Sequence, residues 1–229
     1  MGYKYETHLH TKEGSACAVI TGAEQVRNYY KAGYAGIIVT DHFFNGNTAI
    51  PRELPWEKRV ELFCKGYENA KEEGDKLGMD VFFGWEAGFM GTEFLIYGLD
   101  KEWLLNNSDV LDWSVEEQYK HVKADGGYVV HAHPFREAFY IPDVKLFPDC
   151  VDAVEVINYS NDKLNPEYNK KAYQYAVNNG LPMTGGSDVH NGPAMPGGME
   201  FEERLTDIGD YMSKVLAGEC RVLGIETVL

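Results

Sequence analysis

Short β-rich apolar runs alternate with longer stretches of helical character along the chain. The short runs predict strands at residues 4–7, 36–40, 80–84, 94–97, 127–130, 153–157 and 181–184. The longer stretches predict helices at residues 23–32, 56–77, 115–124, 167–178 and 205–217, several of them followed by a helix-ending glycine. This alternation is typical of βα units and predicts a parallel sheet.

Polar clusters follow the predicted strands at their carboxyl ends. Seven strands arranged in this way favour a TIM-like barrel with its site on the C-terminal face. An open doubly wound sheet also binds ligands at strand ends, but usually at one crevice rather than around all of them. No linker-like or repeated segment interrupts the pattern, so we expect a single domain over residues 1–229.

The composition narrows the class of protein. Apolar residues make up 44% and aromatic residues 13% of the chain, as in soluble globular proteins. The net charge of −15 opposes binding to a nucleic-acid polymer or an anionic membrane, since both need basic surface. No apolar run could span a bilayer and the first residues show no signal-peptide core, so we expect a cytoplasmic protein. The scattered cysteines are expected to be reduced, mostly buried thiols; they are Cys17, Cys64, Cys150 and Cys220.

Six of the seven histidines form four short clusters, each just after a predicted strand. The clusters contain His8 and His10, His42, His131 and His133, and His190, with Asp41 and Asp188 beside two of them and Glu86 after a further strand. Imidazole and carboxylate are the ligands that zinc, iron and manganese prefer. Their placement at successive strand ends predicts a site for several metal ions, and with it a metal-dependent hydrolase.

The single clusters are each open to more than one interpretation. Side chains two apart in an extended segment point the same way, so His8 and His10 can reach one ion. Exposed histidine pairs are also common, and Asp41 equally fits a residue that caps a turn. Of the pair His131 and His133, we expect His133 to be the ligand, while His131 is a candidate for a supporting or substrate-binding role.

The clusters also form a combined pattern along nearly the whole chain. In order, it consists of His8-Leu9-His10-Thr11, Thr40-Asp41-His42, Glu86, Ala132-His133-Pro134 and Ser187-Asp188-Val189-His190. This pattern resembles the signature of the PHP family (polymerase and histidinol phosphatase). The resemblance implies an α/β fold, a distorted seven-stranded (β/α)7 TIM-like barrel with the metal site at the C-terminal ends of the strands. It also implies two or three divalent ions of Zn, Mn or Fe, and hydrolysis of phosphate esters.

The resemblance further implies how the ions are shared. One ion would be held by His8, His10, Glu86 and Asp188; a second by Glu86 as a bridge together with His133; and a third by His42 and His190.

Two positions depart from the family pattern. Members commonly have a histidine or aspartate shortly after the first motif, where this chain has Lys12-Glu13-Gly14-Ser15-Ala16, so Glu13 is the expected substitute. A further histidine is usual on the fourth strand, where this chain has Thr92-Glu93-Phe94-Leu95, so Glu93 is the candidate. Carboxylate in place of imidazole shifts the preference towards harder ions such as Mn²⁺.

These observations predict a metal-dependent phosphoesterase that acts on a small phosphorylated metabolite or nucleotide through a metal-activated water. The expected catalytic residues are Asp188, His190 and Arg136. Arg136 follows the His133-Pro134 segment and is placed to bind a substrate phosphate in a bidentate way, although a solvated surface charge explains it equally well.

Two other classes of function stay open. The same activated water could hydrolyse another bond, such as an amide. A non-catalytic or polymerase-associated module is disfavoured by the nearly full ligand set and the acidic balance. Substrate specificity is expected in the loops at residues 43–55, 135–148 and 159–166, and the sequence predicts neither the substrate nor the oligomeric state.

Overall fold

The computed structural model describes residues 2–139 and 141–229, which form one mixed sheet of nine strands with helices packed against it. The strands are β1 Tyr3–Leu9, β2 Gly36–Val39, β3 Asp80–Phe89, β4 Thr92–Tyr97, β5 Tyr128–Ala132, β6 Ala153–Asn158, β7 Met183–Gly186, β8 Met199–Phe201 and β9 Arg221–Val222. The helices are α1 Gly22–Lys31, α2 Trp56–Phe63, α3 Lys65–Leu77, α4 Lys101–Asn106, α5 Val115–Ala124, α6 Tyr159–Leu164, α7 Glu167–Asn179 and α8 Ile208–Ala217.

The sheet curls into a nearly closed barrel. Its strand order is β7-β6-β5-β4-β3-β2-β1-β8-β9. The two sides of the barrel approach each other where β1 faces β7 and the residues after it. There the Thr7 hydroxyl donates to the Gly185 carbonyl at 2.5 Å, and the Asp188 amide donates to the His8 carbonyl at 2.7 Å. These contacts bring the first and last candidate ligands to the same rim.

The predicted α/β class and barrel shape are confirmed, but the expected wholly parallel seven-stranded (β/α)7 sheet is corrected. All seven predicted strands are present, yet β4 runs antiparallel to both β3 and β5, and two short strands, β8 and β9, are added at one edge. The reason is the connection between β3 and β4, which consists of Met90 and Gly91 alone. Both residues have positive φ, 52° and 90°, as a tight hairpin turn requires, and a parallel crossover needs a far longer segment.

Three of the five predicted helices agree closely with the structure, and the other two differ from it in their extent. The ranges of α1, α5 and α7 lie within one residue of those predicted. The helix expected over residues 56–77 is divided at Cys64 into α2 and α3. The helix expected from residue 205 begins at Ile208, because the Asp207 side chain accepts a hydrogen bond from the Asp210 amide and caps it there. Among the described residues, no helix is both long enough and apolar enough to cross a membrane.

Apolar packing holds the strand ends in place around the rim. Val26 and Tyr29 of α1 are buried together with Leu9 of β1 and Ile37 of β2. Burial of each such side chain contributes about 1.5–3 kcal/mol to folding. This packing therefore holds together β1 and β2, the strands that lead to His8, His10 and His42.

Candidate metal centre

The candidate ligands meet at one rim of the barrel. His8 lies in β1 and His10 directly follows it. His42 forms an isolated parallel bridge with Glu86, because β3 continues beyond the end of β2. Glu93 reaches the same rim from the beginning of β4, since that strand runs in the opposite direction. The polar residues of strands that differ in length and direction thus lie close together at this rim.

Four overlapping groups of side chains have donor atoms that all lie within 4.8 Å of one another. They are His8, His10 and Asp188; His8, Glu86 and His133; His42, Glu86 and Glu93; and His10, His42 and His190. Shared members join the groups into one continuous cluster. Its members are buried except Glu93 and His190, which are partly exposed, so the cluster opens to solvent on their side.

The most deeply buried part of the cluster contains two imidazoles and two carboxylates. The Nε2 atoms of His8 and His10 face each other at 3.3 Å. Asp188 Oδ1 lies 3.2 Å from His10 Nε2, and Glu86 Oε1 lies 3.3 Å from His8 Nε2. Two ligand atoms held at about 2.0–2.1 Å by one tetrahedral ion are about 3.3–3.4 Å apart. The observed spacings fit a shared cation.

Glu86 connects this part of the cluster to the others. Its Oε1 atom lies 2.9 Å from His133 Nε2, and its Oε2 atom lies 2.7 Å from His42 Nδ1. Glu93 Oε2 is 3.6 Å from His133 Nε2, and Glu93 Oε1 is 3.9 Å from His42 Nδ1. On the exposed side, the Nε2 atoms of His42 and His190 are 3.5 Å apart.

Two buried atoms in the cluster provide a direct test of whether metal ions fit it. His42 Nδ1 and Glu86 Oε2 lie 2.7 Å apart, but without the geometry of a hydrogen bond, and neither has a hydrogen-bond partner among the described residues. Buried polar atoms are costly unless they are satisfied. A divalent cation would satisfy both, so the donor set fits the metal ions that the sequence predicts.

A second layer of polar groups orients the imidazoles. Glu155 Oε1 lies 2.8 Å from His8 Nδ1, and the Ser15 hydroxyl lies 3.0 Å from His10 Nδ1. With Nδ1 engaged in this way, Nε2 of each ring faces the cluster. Sequence reasoning missed Glu155, although a carboxylate inside the apolar strand β6 is the same signal that indicated Glu86.

Glu6 fixes the backbone of the segments that carry His8 and Asp188. It is fully buried, and its carboxylate accepts hydrogen bonds from the amides of Thr7, His8 and Ser187 and from the Tyr29 hydroxyl. Burial raises the pKa of Glu6, and the bonds to Ser187 and His8 oppose that rise. One carboxylate thus joins β1 to the segment that carries Asp188.

The ionisation of the cluster reflects its mixture of opposite charges. Burial disfavours the charged form of His8, but the carboxylates of Glu155 and Asp188 outweigh this and raise its pKa well above the usual value. Burial likewise opposes ionisation of Glu86, yet the imidazoles of His42 and His8 hold its pKa well below the usual range. The carboxylate at the centre of the cluster is therefore available in its anionic, metal-binding form.

Two candidate ligands have a strained backbone. His133 has φ of 26° and Asp188 has φ of 55°, in the left-handed region that L-residues rarely adopt. Such a conformation costs about 1–3 kcal/mol and persists only where the surroundings enforce it. Because of this backbone conformation, the His133 side chain also points in a different direction from that of His131, two residues earlier.

His131 consequently lies outside the cluster. It is fully buried among the rings of Phe94, Phe147 and Tyr175, and neither ring nitrogen has a hydrogen-bond partner among the described residues. Burial, with a smaller effect of His133, lowers its pKa to about 3. The supporting or substrate-binding role expected for His131 is corrected to that of a neutral core residue.

Glu13 is the one predicted ligand that the structure does not bring to the cluster. Its carboxylate accepts hydrogen bonds from the Gly22 amide, at 3.2 Å, and from the Asn69 side chain, at 2.9 Å. The neighbouring Asp41 also serves the framework, because it accepts from the Thr11 amide and hydroxyl and from the Ser15 hydroxyl.

Arg136 lies beside the cluster, but it is not a solvated surface charge. Its Nη2 atom is 2.5 Å from Asp188 Oδ2 and 3.0 Å from Asn158 Oδ1, and its Nε atom donates to Asn161 Oδ1 at 2.9 Å. Only 11% of its side chain is exposed. Burial opposes ionisation of Asp188, but Arg136 and His8 hold its pKa well below the usual range.

Comparisons with known proteins agree with this description. Residues 166–220 match the model of the family described as PHP-associated. No curated protein matches the chain.

Three solved structures share its fold at low sequence identity. A two-domain protein of Bacteroides vulgatus, which contains a predicted PHP-like metal-dependent phosphoesterase, has a TM-score of 0.71 and 17% identity over 97% of this chain. This chain spans 64% of that protein's length. A protein of Bifidobacterium adolescentis, provisionally named a metal-dependent phosphoesterase, has a TM-score of 0.60 and 18% identity, with 94% of this chain and 96% of that one covered. An amidohydrolase from Chromobacterium violaceum, solved with sulfate and no metal, has a TM-score of 0.55 and 15% identity, with 82% and 87% covered.

Proposed function

This chain is a PHP-domain protein, and we propose that it is a metal-dependent phosphoesterase acting on a small phosphorylated metabolite or nucleotide. The observation that carries the proposal is the convergence of eight of the nine predicted ligands on one rim. They are His8, His10, His42, Glu86, Glu93, His133, Asp188 and His190. So many donors exceed what one tetrahedral ion can use, which supports a site for two or three ions.

The proposed arrangement assigns each ion to side chains that share a face of the cluster. His8, His10, Asp188 and Glu86 would hold the most buried ion, and Glu86 would bridge to a second ion held with His133 and Glu93. His42 and His190 would hold a third. When bound, the cations supply Lewis acidity and an activated water for attack on the phosphoryl group.

The chain's own residues would position the substrate beside these ions. Arg136 is fixed by Asp188, Asn158 and Asn161, so its guanidinium needs no ordering when a phosphate binds. The His190 side chain is 21% exposed, against 11% for His42, so it lies nearest the solvent side from which a substrate arrives. We therefore keep Asp188, His190 and Arg136 as the proposed catalytic residues.

The proposal is tested by phosphate release from a panel of phosphorylated metabolites and nucleotides, with protein loaded with Mn²⁺ or Zn²⁺. Asp188→Asn should lower turnover by about 100-fold or more, because the charge that holds both the ion and Arg136 is lost. Lys58→Gln is the control, since within the described part of the chain Lys58 pairs only with Glu61, on the exposed face of α2. Melting curves would show that both variants are folded.

Phosphate release that persists after full chelation, or equal turnover by Asp188→Asn, would contradict the proposal. Hydrolysis of another bond, such as an amide, is the second candidate, favoured by the likeness to the amidohydrolase. An amide panel run in parallel separates the two, because metal-dependent turnover of amides alone would replace the phosphoesterase assignment.

A further inference from the structure

Three asparagines are fully buried beside the metal centre. Asn158 is the last residue of β6, Asn161 lies in the first turn of α6 and Asn169 lies in the first turn of α7. All three residues are 0% exposed. Asparagine is mostly a surface residue and favours neither strands nor helix interiors, so apolar packing gives no reason for three of them here. Their hydrogen bonds provide the reason.

The amide groups of Asn169 and Asn161 are oriented from a main-chain carbonyl, which can only accept. Asn169 Nδ2 donates to the Asn158 carbonyl at 3.0 Å, so its Oδ1 atom is left to accept from Asn161 Nδ2, at 3.3 Å. Asn161 Oδ1 therefore points the other way, and it accepts from Arg136 Nε at 2.9 Å. The oxygen that Arg136 meets is thus determined by a residue of α7.

Asn158 is oriented independently, by carboxylates. Its Nδ2 atom donates to Glu155 Oε2 at 3.0 Å and to Asp188 Oδ2 at 3.4 Å. Its Oδ1 atom accepts from the Asn161 amide at 3.1 Å and from Arg136 Nη2 at 3.0 Å. Asn158 and Asn161 thus offer two oxygens to one edge of the guanidinium.

Only one nitrogen of this guanidinium remains available to a substrate. A guanidinium has five N–H groups, one on Nε and two on each Nη atom. Nε donates to Asn161, and the two N–H groups of Nη2 are taken by Asn158 and by Asp188 Oδ2, at 2.5 Å. Nη1 of Arg136 has no partner among the described residues, yet it is not a buried atom, so water can contact it.

Asp188 connects this arginine to the proposed ions. Its Oδ2 atom binds Arg136, while its Oδ1 atom lies 3.2 Å from His10 Nε2. Arg136 also lines a pocket together with the candidate ligands Glu93 and His133. The available nitrogen therefore belongs to an arginine that is one carboxylate away from the metal centre.

We propose that Asn161 and Asn169 are positioning residues, which hold Arg136 so that its Nη1 atom binds the substrate phosphate. This inference rests on the proposed function, since it concerns how that substrate is bound. It limits the bidentate contact expected from the sequence to the two N–H groups of Nη1. It also gives α7 a part in substrate binding, although that helix carries none of the predicted site residues.

Calorimetric titration of Mn²⁺-loaded protein with inorganic phosphate tests the proposal without reference to turnover. Asn161→Leu has no acceptor for Arg136 Nε, so phosphate affinity should fall about tenfold. Asn161→Asp also loses the bond to Asn169, but it keeps an oxygen for Nε, so its phosphate affinity should stay close to that of wild type. Asn178→Leu is the control, since Asn178 is exposed on α7 and pairs with Gln174. Metal content and melting curves, measured on the same samples, would show that ions and fold are retained.

A double variant shows whether Asn161 acts through the arginine. When Arg136→Leu is already present, Asn161→Leu should cause no further loss of phosphate affinity, because the group that it positions is gone. Additive losses would indicate a general structural effect and would overturn the proposal.

Asn169 is tested against two backgrounds. In the wild-type background, Asn169→Leu should lower phosphate affinity, because the Asn161 amide can then turn its NH2 group towards Arg136 Nε. In the Asn161→Asp background, the same change should have no effect, since either carboxylate oxygen can accept. An equal loss in both backgrounds would contradict the role given to Asn169.

Nitrogen-15 NMR of the arginine side chains keeps the proposal testable on wild-type protein if a variant does not fold. The Arg136 Nε–H signal, assigned by its absence in Arg136→Lys, should exchange slowly with water before and after phosphate is added. Phosphate should slow the exchange at Nη1 instead. Exposed Arg52 provides the reference for free exchange, and an equally fast exchange at Arg136 Nε would overturn the proposal.

Failure of this inference can be distinguished from failure of the proposed function. Phosphate release by wild type, with unchanged phosphate affinity in Asn161→Leu, would keep the phosphoesterase assignment and remove the positioning role. The expected pattern of phosphate affinities without phosphate release from any substrate would keep the positioning of Arg136 and remove the phosphoesterase assignment.

Discussion

Glu86 and Glu155 give the same signal in the sequence, a single carboxylate inside an apolar strand, yet they serve the centre in different ways. Glu86 faces four imidazoles directly, whereas Glu155 contacts His8 on the side of the ring away from the cluster. Sequence reasoning recognised Glu86 because it follows a predicted strand at residues 80–84 and belongs to the combined pattern. It missed Glu155 because that residue lies inside the predicted strand at residues 153–157 rather than after it.

The position of Glu155 predicts the effect of Glu155→Gln. The carboxylate accepts from the His133 amide and from the Asn158 side chain, both at 3.0 Å, besides its contact with His8. A glutamine has one acceptor oxygen and one NH2 group in place of the two carboxylate oxygens. Its NH2 group would therefore face either the donors of His133 and Asn158 or the Nδ1 atom of His8. If it donates to His8 Nδ1, the imidazole carries its proton on Nε2 and cannot bind an ion there. Metal affinity should fall about 10–100-fold.

Competition titration with a zinc chelator would measure this loss. Glu167→Gln is the control, since Glu167 pairs with Lys170 on the exposed surface of α7. Equal zinc affinity for wild type and Glu155→Gln would show that Glu155 does not orient His8.

Its position in the sequence predicts that Glu13 lies among the ligands, but its side chain lies elsewhere, and the cause is local. The first turn of a helix has amide groups without partners inside the helix, and a nearby carboxylate is attracted to them. Glu13 binds the Gly22 amide at the beginning of α1, and Asn69 donates to it from α3. Position along the chain predicts that a ligand is near the rim, but competition from such donors decides where its side chain points.

Two glycines allow α1 and α3 to approach the rim closely. A Cβ atom added at Gly22 would collide with the Gly66 carbonyl. One added at Gly66 would collide with Thr11 Oγ1 and lie 2.8 Å from Asp41 Oδ2. The backbone of α1 therefore packs directly on that of α3, and the backbone of α3 packs directly against the side chains of Thr11 and Asp41.

Gly66→Ala should accordingly destabilise the protein. The added methyl group would push Thr11 away from Asp41 and weaken two hydrogen bonds of 2.6 Å. Overpacking of this kind costs about 1–3 kcal/mol, which lowers the melting temperature by about 2–4 °C per kcal/mol in a chain of this length. Differential scanning calorimetry would measure the shift.

Gly46→Ala is the matched control for this measurement. A Cβ atom there would lie 3.4 Å or more from its neighbours, which is ordinary contact. Equal melting temperatures for the two variants would show that the α1–α3 approach tolerates a side chain.

The hairpin of β3 and β4 explains how Glu93 comes to the rim. In a parallel strand, the beginning of β4 would lie at the far end of the barrel from Glu86. Because β4 is antiparallel, its residue Glu93 pairs with Gly88, two residues beyond Glu86. The sequence predicted both strands and named Glu93, but a turn of two residues gives too weak a signal to reveal the change of direction.

The molecule as a whole draws its centre from segments that span residues 8 to 190, so the site exists only in the folded chain. That the histidine clusters would meet was predictable, because the carboxyl ends of parallel strands share one rim. The pairing of Arg136 with Asp188 was not predictable, since it depends on where Asn158 and Asn161 hold the guanidinium. Contacts between segments far apart in the chain leave no periodic signal.

If the proposed centre binds ions, this long-range assembly should make the folding stability depend on them. The centre gathers the carboxylates Glu86, Glu93 and Asp188 in a chain whose net charge is −15, and bound cations would offset their repulsion. Ligand present at 100 times its dissociation constant stabilises the native state by about 2.7 kcal/mol. Full chelation should therefore lower the melting temperature by about 5–10 °C, and excess Zn²⁺ or Mn²⁺ should restore it.

Asp188→Asn, with a weakened centre, should respond much less to either treatment. A wild-type melting temperature that is the same with chelator and with excess metal would show that the cluster of imidazoles and carboxylates folds without bound cations, and would remove the basis of the proposed metal centre.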